Sequence, residues 1–207
     1  FNLYMVAIIT GDIINSDRYA ASEWMDILKP YLGQQGKTPN DWEIYRGDEF
    51  QIRTTPEKAL QMAIQIKALI KSIKNLDVRM GIGLGSETFV GSSVSQSNGK
   101  AYQRSGRIFE TLKEQKLNLA IVTGHDDKDK TLNLMLKLAL NFMDDWSTVS
   151  AQMVSLALTK PNASQQEVAD QLKIRQSAVS QRLKRARMDL VLDLLAYYDE
   201  NLKYIKA

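Results

Sequence analysis

Residues 3–9, from Leu3 to Ile9, are an unbroken apolar run rich in β-branched side chains, followed by Thr10-Gly11-Asp12. The run predicts a buried strand that ends in an acidic turn. Trp24, Ile27, Leu28 and Tyr31 recur at helical spacing within residues 20–32, and the stretch Gly33 to Asn40 has loop composition. Trp42 to Tyr45 and Phe50 to Ile52 are short segments flanking Arg46-Gly47-Asp48-Glu49, which predicts a β-hairpin. Pro56 opens a helix whose apolar stripe is Ala59, Met62, Ala63, Ile66, Leu69, Ile70 and Ile73. A strand follows at Val78 to Leu84, with Gly81, Gly83 and Gly85 interleaved. That alternation lacks the spacing of a dinucleotide loop and predicts close backbone approach or a bend. Ala101 to Leu112 reads as a helix and Leu119 to Thr123 as a strand.

The order β-α-β-β-α-β, then helix and strand, is the ferredoxin-like, split βαβ pattern with an extension. The expected fold is therefore an α+β N-terminal domain followed by an all-α domain. The boundary is expected in the polar run from His125 to Lys130, giving domains at 1–126 and 127–207. Residues 130–146 and 147–159 read as helices, and Lys160-Pro161-Asn162-Ala163 breaks the pattern.

The C-terminal part carries a motif. Ser164 with Glu167 three residues on forms a capping box, Gln165 to Leu172 a short helix, Lys173-Ile174-Arg175 a turn, and Gln176 onward a second helix. Val168, Leu172, Ile174, Val179 and Leu183 supply a small core, and Ala169 sits where two steeply crossing helices approach. These parts predict a helix-turn-helix over about 164–187. Lys173 occupies the turn position that is commonly Gly. On the second helix Gln176, Ser177, Ser180 and Gln181 are candidate base readers. Arg175, Arg182, Lys184, Arg185 and Arg187 are candidate phosphate contacts. The expected partner is double-stranded DNA. From Met188 to Ile205 a further apolar stripe either packs within the chain or pairs with a second copy; a homodimer is expected, since such units usually act in pairs.

Charge sharpens this division. The 207 residues include 27 Lys plus Arg against 24 Asp plus Glu, a net +3. Residues 160–187 hold seven basic and two acidic residues, so +5 sits in the motif and the remainder carries −2. The absence of cysteine excludes a disulfide framework, an iron–sulfur cluster, a Cys nucleophile and a Cys-type zinc site, and the single His125 excludes a multi-His metal centre. Carboxylates remain as metal ligands, which points to a hard ion such as Mg²⁺. No run reaches the length of a membrane span, and the first residues lack the pattern of a signal peptide, so a cytoplasmic location is expected.

Asp12 and Asp48 are brought close by the predicted sheet, and two such carboxylates can hold Mg²⁺ beside a nucleoside triphosphate, with Glu49 as a further ligand. Arg46-Gly47-Asp48-Glu49-Phe50 resembles the turn of the GGDEF diguanylate cyclases. Gly11 to Ser16 resembles the first metal strand of class III nucleotidyl cyclases, and Val78 to Gly85 resembles their Arg-Ile-Gly-Ile strand. Gln103 and Arg107 fall where those cyclases place substrate-contacting residues, which makes them candidate catalytic residues if the domain is cyclase-like. The resemblance departs at Ile44 and Lys100, where base contacts would fall, at Gln103, which replaces Asn, and at Arg46, which replaces Gly. A cyclase-like domain followed by a helix-turn-helix is similar to the SatD family of bacterial proteins, described as regulators. The resemblance implies a DNA-binding transcriptional regulator with a cyclase-related sensor or dimerisation domain and a nucleotide as candidate ligand. The alternative is a Mg²⁺-dependent, cyclase-like nucleotide enzyme with a regulatory helix-turn-helix.

Overall fold

The computed structural model describes residues 5–205. Leu3 and Tyr4 of the predicted first strand lie outside the described residues.

Five strands form one sheet: β1 (Met5–Ile14), β2 (Trp42–Tyr45), β3 (Glu49–Thr54), β4 (Asp77–Ser86) and β5 (Leu119–Val122). Their order is β2-β3-β1-β4-β5, with β1 antiparallel to both neighbours and β5 parallel to β4. Among the described residues eight α-helices accompany the sheet: α1 (Ala21–Gln35), α2 (Pro56–Lys71), α3 (Lys100–Gln115), α4 (Asp126–Met143), α5 (Thr148–Thr159), α6 (Gln165–Leu172), α7 (Gln176–Arg185) and α8 (Met188–Ile205). The succession β1-α1-β2-β3-α2-β4 is the predicted one, and a mixed α/β sheet region precedes a helical C-terminal region.

Strand β1 is central, so both its faces are covered. Ala7, Ile9 and Ile13 join the core shared with α1 and α2, while Val6 and Ile8 pack with Val94, Ala101 and Tyr102 on the α3 side. Side chains alternate between faces along a strand, and two covered faces explain why the run reads as continuously apolar. The strand does not stop at Thr10-Gly11-Asp12, as the acidic turn suggested, but continues to Ile14. Gly11 serves packing there, since a Cβ would lie 2.6 Å from the Phe50 ring and 2.7 Å from the Arg79 carbonyl oxygen.

The glycines of β4 let α3 lie close on the sheet. A Cβ at Gly83 would stand 2.2 Å from the Ala101 carbonyl oxygen and 2.3 Å from the Ser105 nitrogen. In the space so left, the Ser105 hydroxyl meets Thr10 Oγ1 at 2.8 Å and the Gly81 carbonyl oxygen at 2.8 Å. Arg104 donates to the carbonyls of Leu84 and Thr123, tying α3 to the ends of β4 and β5.

The polar run 125–130 is the first turn of α4 rather than a connector. Asp126, Asp127 and Asp129 occupy that turn, where the helix dipole favours negative charge. Asp129 accepts from the Thr123 amide at 2.7 Å, and Asn133 both donates to and accepts from the backbone of Ile121, capping the open edge of β5.

Helix α2 is buried on nearly all sides because α5 and α8 cover the face turned away from the sheet. One apolar cluster therefore runs from β1 and α2 through Leu136, Trp146 and Val154 to Val191 and Tyr198. The Tyr198 hydroxyl donates to the Pro56 carbonyl at 2.7 Å. Lys67, fully buried, pairs with Asp77 at 2.7 Å and Asp144 at 2.6 Å, fastening α2 to β4 and to the α4–α5 turn. Helix α8 thus packs within the chain through Met188, Val191, Leu194, Tyr198 and Leu202.

Candidate functional site

The carboxylate pair and the α6–α7 unit are the two places where predicted site residues gather. Asp12 lies opposite Arg79 in the β1–β4 register and opposite Glu49 in the β1–β3 register. The Ile13 amide donates to the Asp48 carbonyl oxygen at 3.3 Å, so the sheet does bring Asp12 and Asp48 together. Their carboxylates, however, already have partners. Arg79 donates through Nε to Asp12 Oδ1 at 3.1 Å and through Nη2 to Oδ2 at 2.6 Å, a bidentate, mostly buried pair. The Ser16 hydroxyl donates to Asp48 Oδ2. Among the described residues no three or more of His, Asp and Glu come together as a set that could hold a metal ion.

As arranged, these residues do not fit Mg²⁺. The ion needs open carboxylate oxygens at about 2.1 Å, and a guanidinium holds both oxygens of Asp12. In the sequence Arg79 reads as a surface charge. Its role follows from strand register, which no short-range pattern reveals. Gln103 and Arg107 are exposed on α3, Lys100 is exposed at its first turn, and Ile44 packs against the core. Arg46 and Gly47 both take positive φ, 49° and 90°, so the hairpin turn forms with Arg where glycine would be unstrained.

The segment forms two short helices, α6 and α7, joined by a tight turn, although Leu172, expected in their small core, is exposed. Ser164 Oγ accepts from the Glu167 amide at 3.2 Å and Glu167 Oε2 from the Ser164 amide at 2.7 Å, closing the capping box. These hydrogen bonds hold the Glu167 carboxyl below its ordinary range. Lys173 ends α6 in the left-handed conformation, φ 53° and ψ 45°. Ala169 and Val179 are fully buried, and with Met153 and Val168 they form a separate small core, flanked by Leu156, Ala163, Ile174 and Leu183. Met153 and Leu156 come from α5, so α7 rests on α5 as well as on α6.

Gln176, Ser177, Ser180, Gln181 and Lys184 share one exposed face of α7. Arg175, Arg185 and Arg187 are also exposed, and Arg182 is half-buried. Among the described residues none of Arg175, Arg182, Lys184, Arg185 and Arg187 has an ion-pair partner. Gln176 Nε2 donates to Gln165 Oε1 at 2.5 Å, linking the two helix starts.

Sequence and structure comparisons place the chain among known proteins. The SatD family model matches residues 5–194, and the chain belongs to the SatD family. No curated protein matches it. Among solved structures it is similar to a bacterial light-regulated adenylyl cyclase, with a TM-score of 0.41 and 15% sequence identity. The likeness covers 59% of this chain and 44% of that one, so the chain spans less than half the length of that protein. Among the described residues no helix is long and apolar enough to cross a membrane.

Proposed function

We propose that this SatD family protein is a DNA-binding transcriptional regulator in which α6, its turn and α7 form a helix-turn-helix and α7 enters the major groove. The observation that carries the reading is the exposed face of α7. Its amides and hydroxyls stand beside five cations that have no ion-pair partner among the described residues, on a unit braced by its own buried core. Gln176, Ser177, Ser180 and Gln181 read base edges, with Gln176 exchanging its bond to Gln165 for one to a base. Arg175, Arg182, Lys184, Arg185 and Arg187 hold phosphates. The sheet region serves as a cyclase-related sensor or dimerisation part, and a homodimer presents two α7 helices to half-sites about one turn of DNA apart.

Fluorescence anisotropy on fragments of the source genome, taken across a salt series, tests this. Affinity should fall as a power of salt concentration. Arg182→Glu with Lys184→Glu should weaken binding at least tenfold and make the salt slope shallower by about one for each phosphate no longer held. Unchanged affinity in that double variant refutes the reading.

The other reading, a Mg²⁺-dependent nucleotide enzyme at Asp12 and Asp48, draws no support from the site, because Arg79 takes the place a cation would occupy. Calorimetry of the full chain with a nucleoside triphosphate should show no heat that depends on both Mg²⁺ and Asp12. A Mg²⁺-dependent signal that disappears in Asp12→Asn would restore the enzyme reading.

A further inference from the structure

The two apolar cores of the helical region do not merge. Met153, Val168 and Val179 belong to the small one, Leu158 and Met188 belong to the large one, and Leu183 is the half-buried apolar residue packed against both. The seam between them is a cleft of about 330 Å³, walled by α5, α6, α7 and α8 and lined by all six of these residues. Packed interiors leave few spaces larger than a water molecule, so a gap of this size between two apolar surfaces calls for an occupant. Its volume lies within the range of small-molecule pockets.

The lining selects the kind of molecule that fits. Eleven of the fourteen lining residues are apolar and none is Asp or Glu, so the body of the occupant is apolar. By proportion with an apolar cavity of about 150 Å³ that holds benzene, the space takes about a dozen non-hydrogen atoms. The polar lining residues, Gln61, Lys160 and Gln165, are exposed, and so is Leu192, which places the opening along α8. Lys160 is the one charged residue of the lining. It donates to Gln171 Oε1 at 2.7 Å and has no ion-pair partner among the described residues. Glu167 feels its charge but keeps its own carboxylate on the α6 cap.

We propose that this cleft binds a small amphipathic acid, its apolar body lying between the two cores and its anionic end meeting Lys160. An apolar wall with a single cation at its mouth suits that class: the body gains from leaving water, and the acid group stays at the solvated rim, where a cation can meet it. The bound molecule would join the small core of α6 and α7 to the large one and so fix how α7 sits on α5 and α8. The proposal depends neither on DNA binding nor on the Asp12–Asp48 pair.

Titration calorimetry of the full chain with decanoate, decanol and decyltrimethylammonium tests it. Decanoate should bind at a single site and at least tenfold more tightly than the other two. Lys160→Gln should bring decanoate down to the level of decanol and leave decanol unchanged. Leu192→Trp puts a larger ring at the opening and should weaken decanoate more than tenfold. Both substitutions fall at exposed positions, so the fold survives them. Amide hydrogen exchange in α6 and α7 should slow when decanoate is bound. No binding at millimolar concentration, or equal binding of the three probes, overturns the proposal. So does binding at several sites that Leu192→Trp leaves untouched, which would mean adsorption to exposed leucines elsewhere, and so does unchanged exchange in α6 and α7. A dimer that Leu192→Trp breaks, seen by sedimentation while no decanoate binds, also overturns it, because a second copy of the chain then covers the cleft.

Discussion

Lys173 sits in a left-handed conformation at the end of α6, where a Cβ costs about 1 kcal/mol that glycine does not incur. Lys173→Gly should therefore stabilise the chain by up to about 1 kcal/mol in denaturant unfolding, reduced by the extra freedom glycine brings to the unfolded chain. A loss of stability would mean that the Lys side chain contributes packing or charge that the geometry does not show. Glu87 offers a second single-residue test. Burial alone would raise its carboxyl, but hydrogen bonds from Arg53 and Tyr102 outweigh that and hold it below the ordinary range. A carboxylate with a lowered folded-state value contributes stability that is complete above its unfolded value and lost as pH falls through the folded one. The stability gap between the parent and Glu87→Gln should be widest near neutrality and shrink below about pH 4. A gap of equal size at pH 7 and pH 3 would rule the linkage out. Such local facts divide by what sets them. The strain at Lys173 and Arg46 is readable from turn position alone. The pairing of Arg79 with Asp12, and the burial of Lys67, depend on strand register and on helices far along the chain, so no window of sequence contains them.

At the scale of elements, the β4–α3 packing shows how a spacing becomes a geometry. Gly81, Gly83 and Gly85 present one flat strip, and α3 lies on it closely enough for Ser105 to bond a β4 carbonyl. The alternation is legible as close approach, although the approaching element is not. Gly83→Ala puts a methyl group 2.2 Å from a backbone oxygen that cannot rotate away. It should cost about 3 kcal/mol, the upper part of the range for overpacking, because α3 must lift off the sheet. Gly33→Ala, with no atom within 4 Å of the new Cβ, is the control and should cost nothing. Two elements mislead for related reasons. Thr10-Gly11-Asp12 looks like a turn, yet β1 runs through it, and the glycine there leaves the room that Phe50 and Met80 occupy. The acidic run at 125–130 looks like a solvated connector, yet those charges suit the first turn of α4 and Asp129 caps the backbone just before it. Composition alone does not separate a linker from a charged helix start.

For the whole molecule, the sequence suggests two bodies joined near residue 126, because strands cease there and helices take over. The described structure shares one apolar cluster across that point. Helix α2 is the reason. Its sheet-facing stripe is visible as helical periodicity, but α5 and α8 bury the opposite face as well, including Gln65 and Lys67. That second burial has no signature in α2 itself beyond the scarcity of charge between Ala59 and Ile70. If the shared cluster governs stability, the full chain should unfold in one calorimetric transition, with sheet and helical signals disappearing together. A chain cut to residues 1–126 would expose the outer face of α2 and leave Lys67 without Asp144. Its sheet would persist at most as a compact state without fixed packing, which binds the hydrophobic dye ANS and melts without a sharp transition. A fragment that instead unfolds cooperatively at the temperature of the full chain would show that the sheet region stands alone.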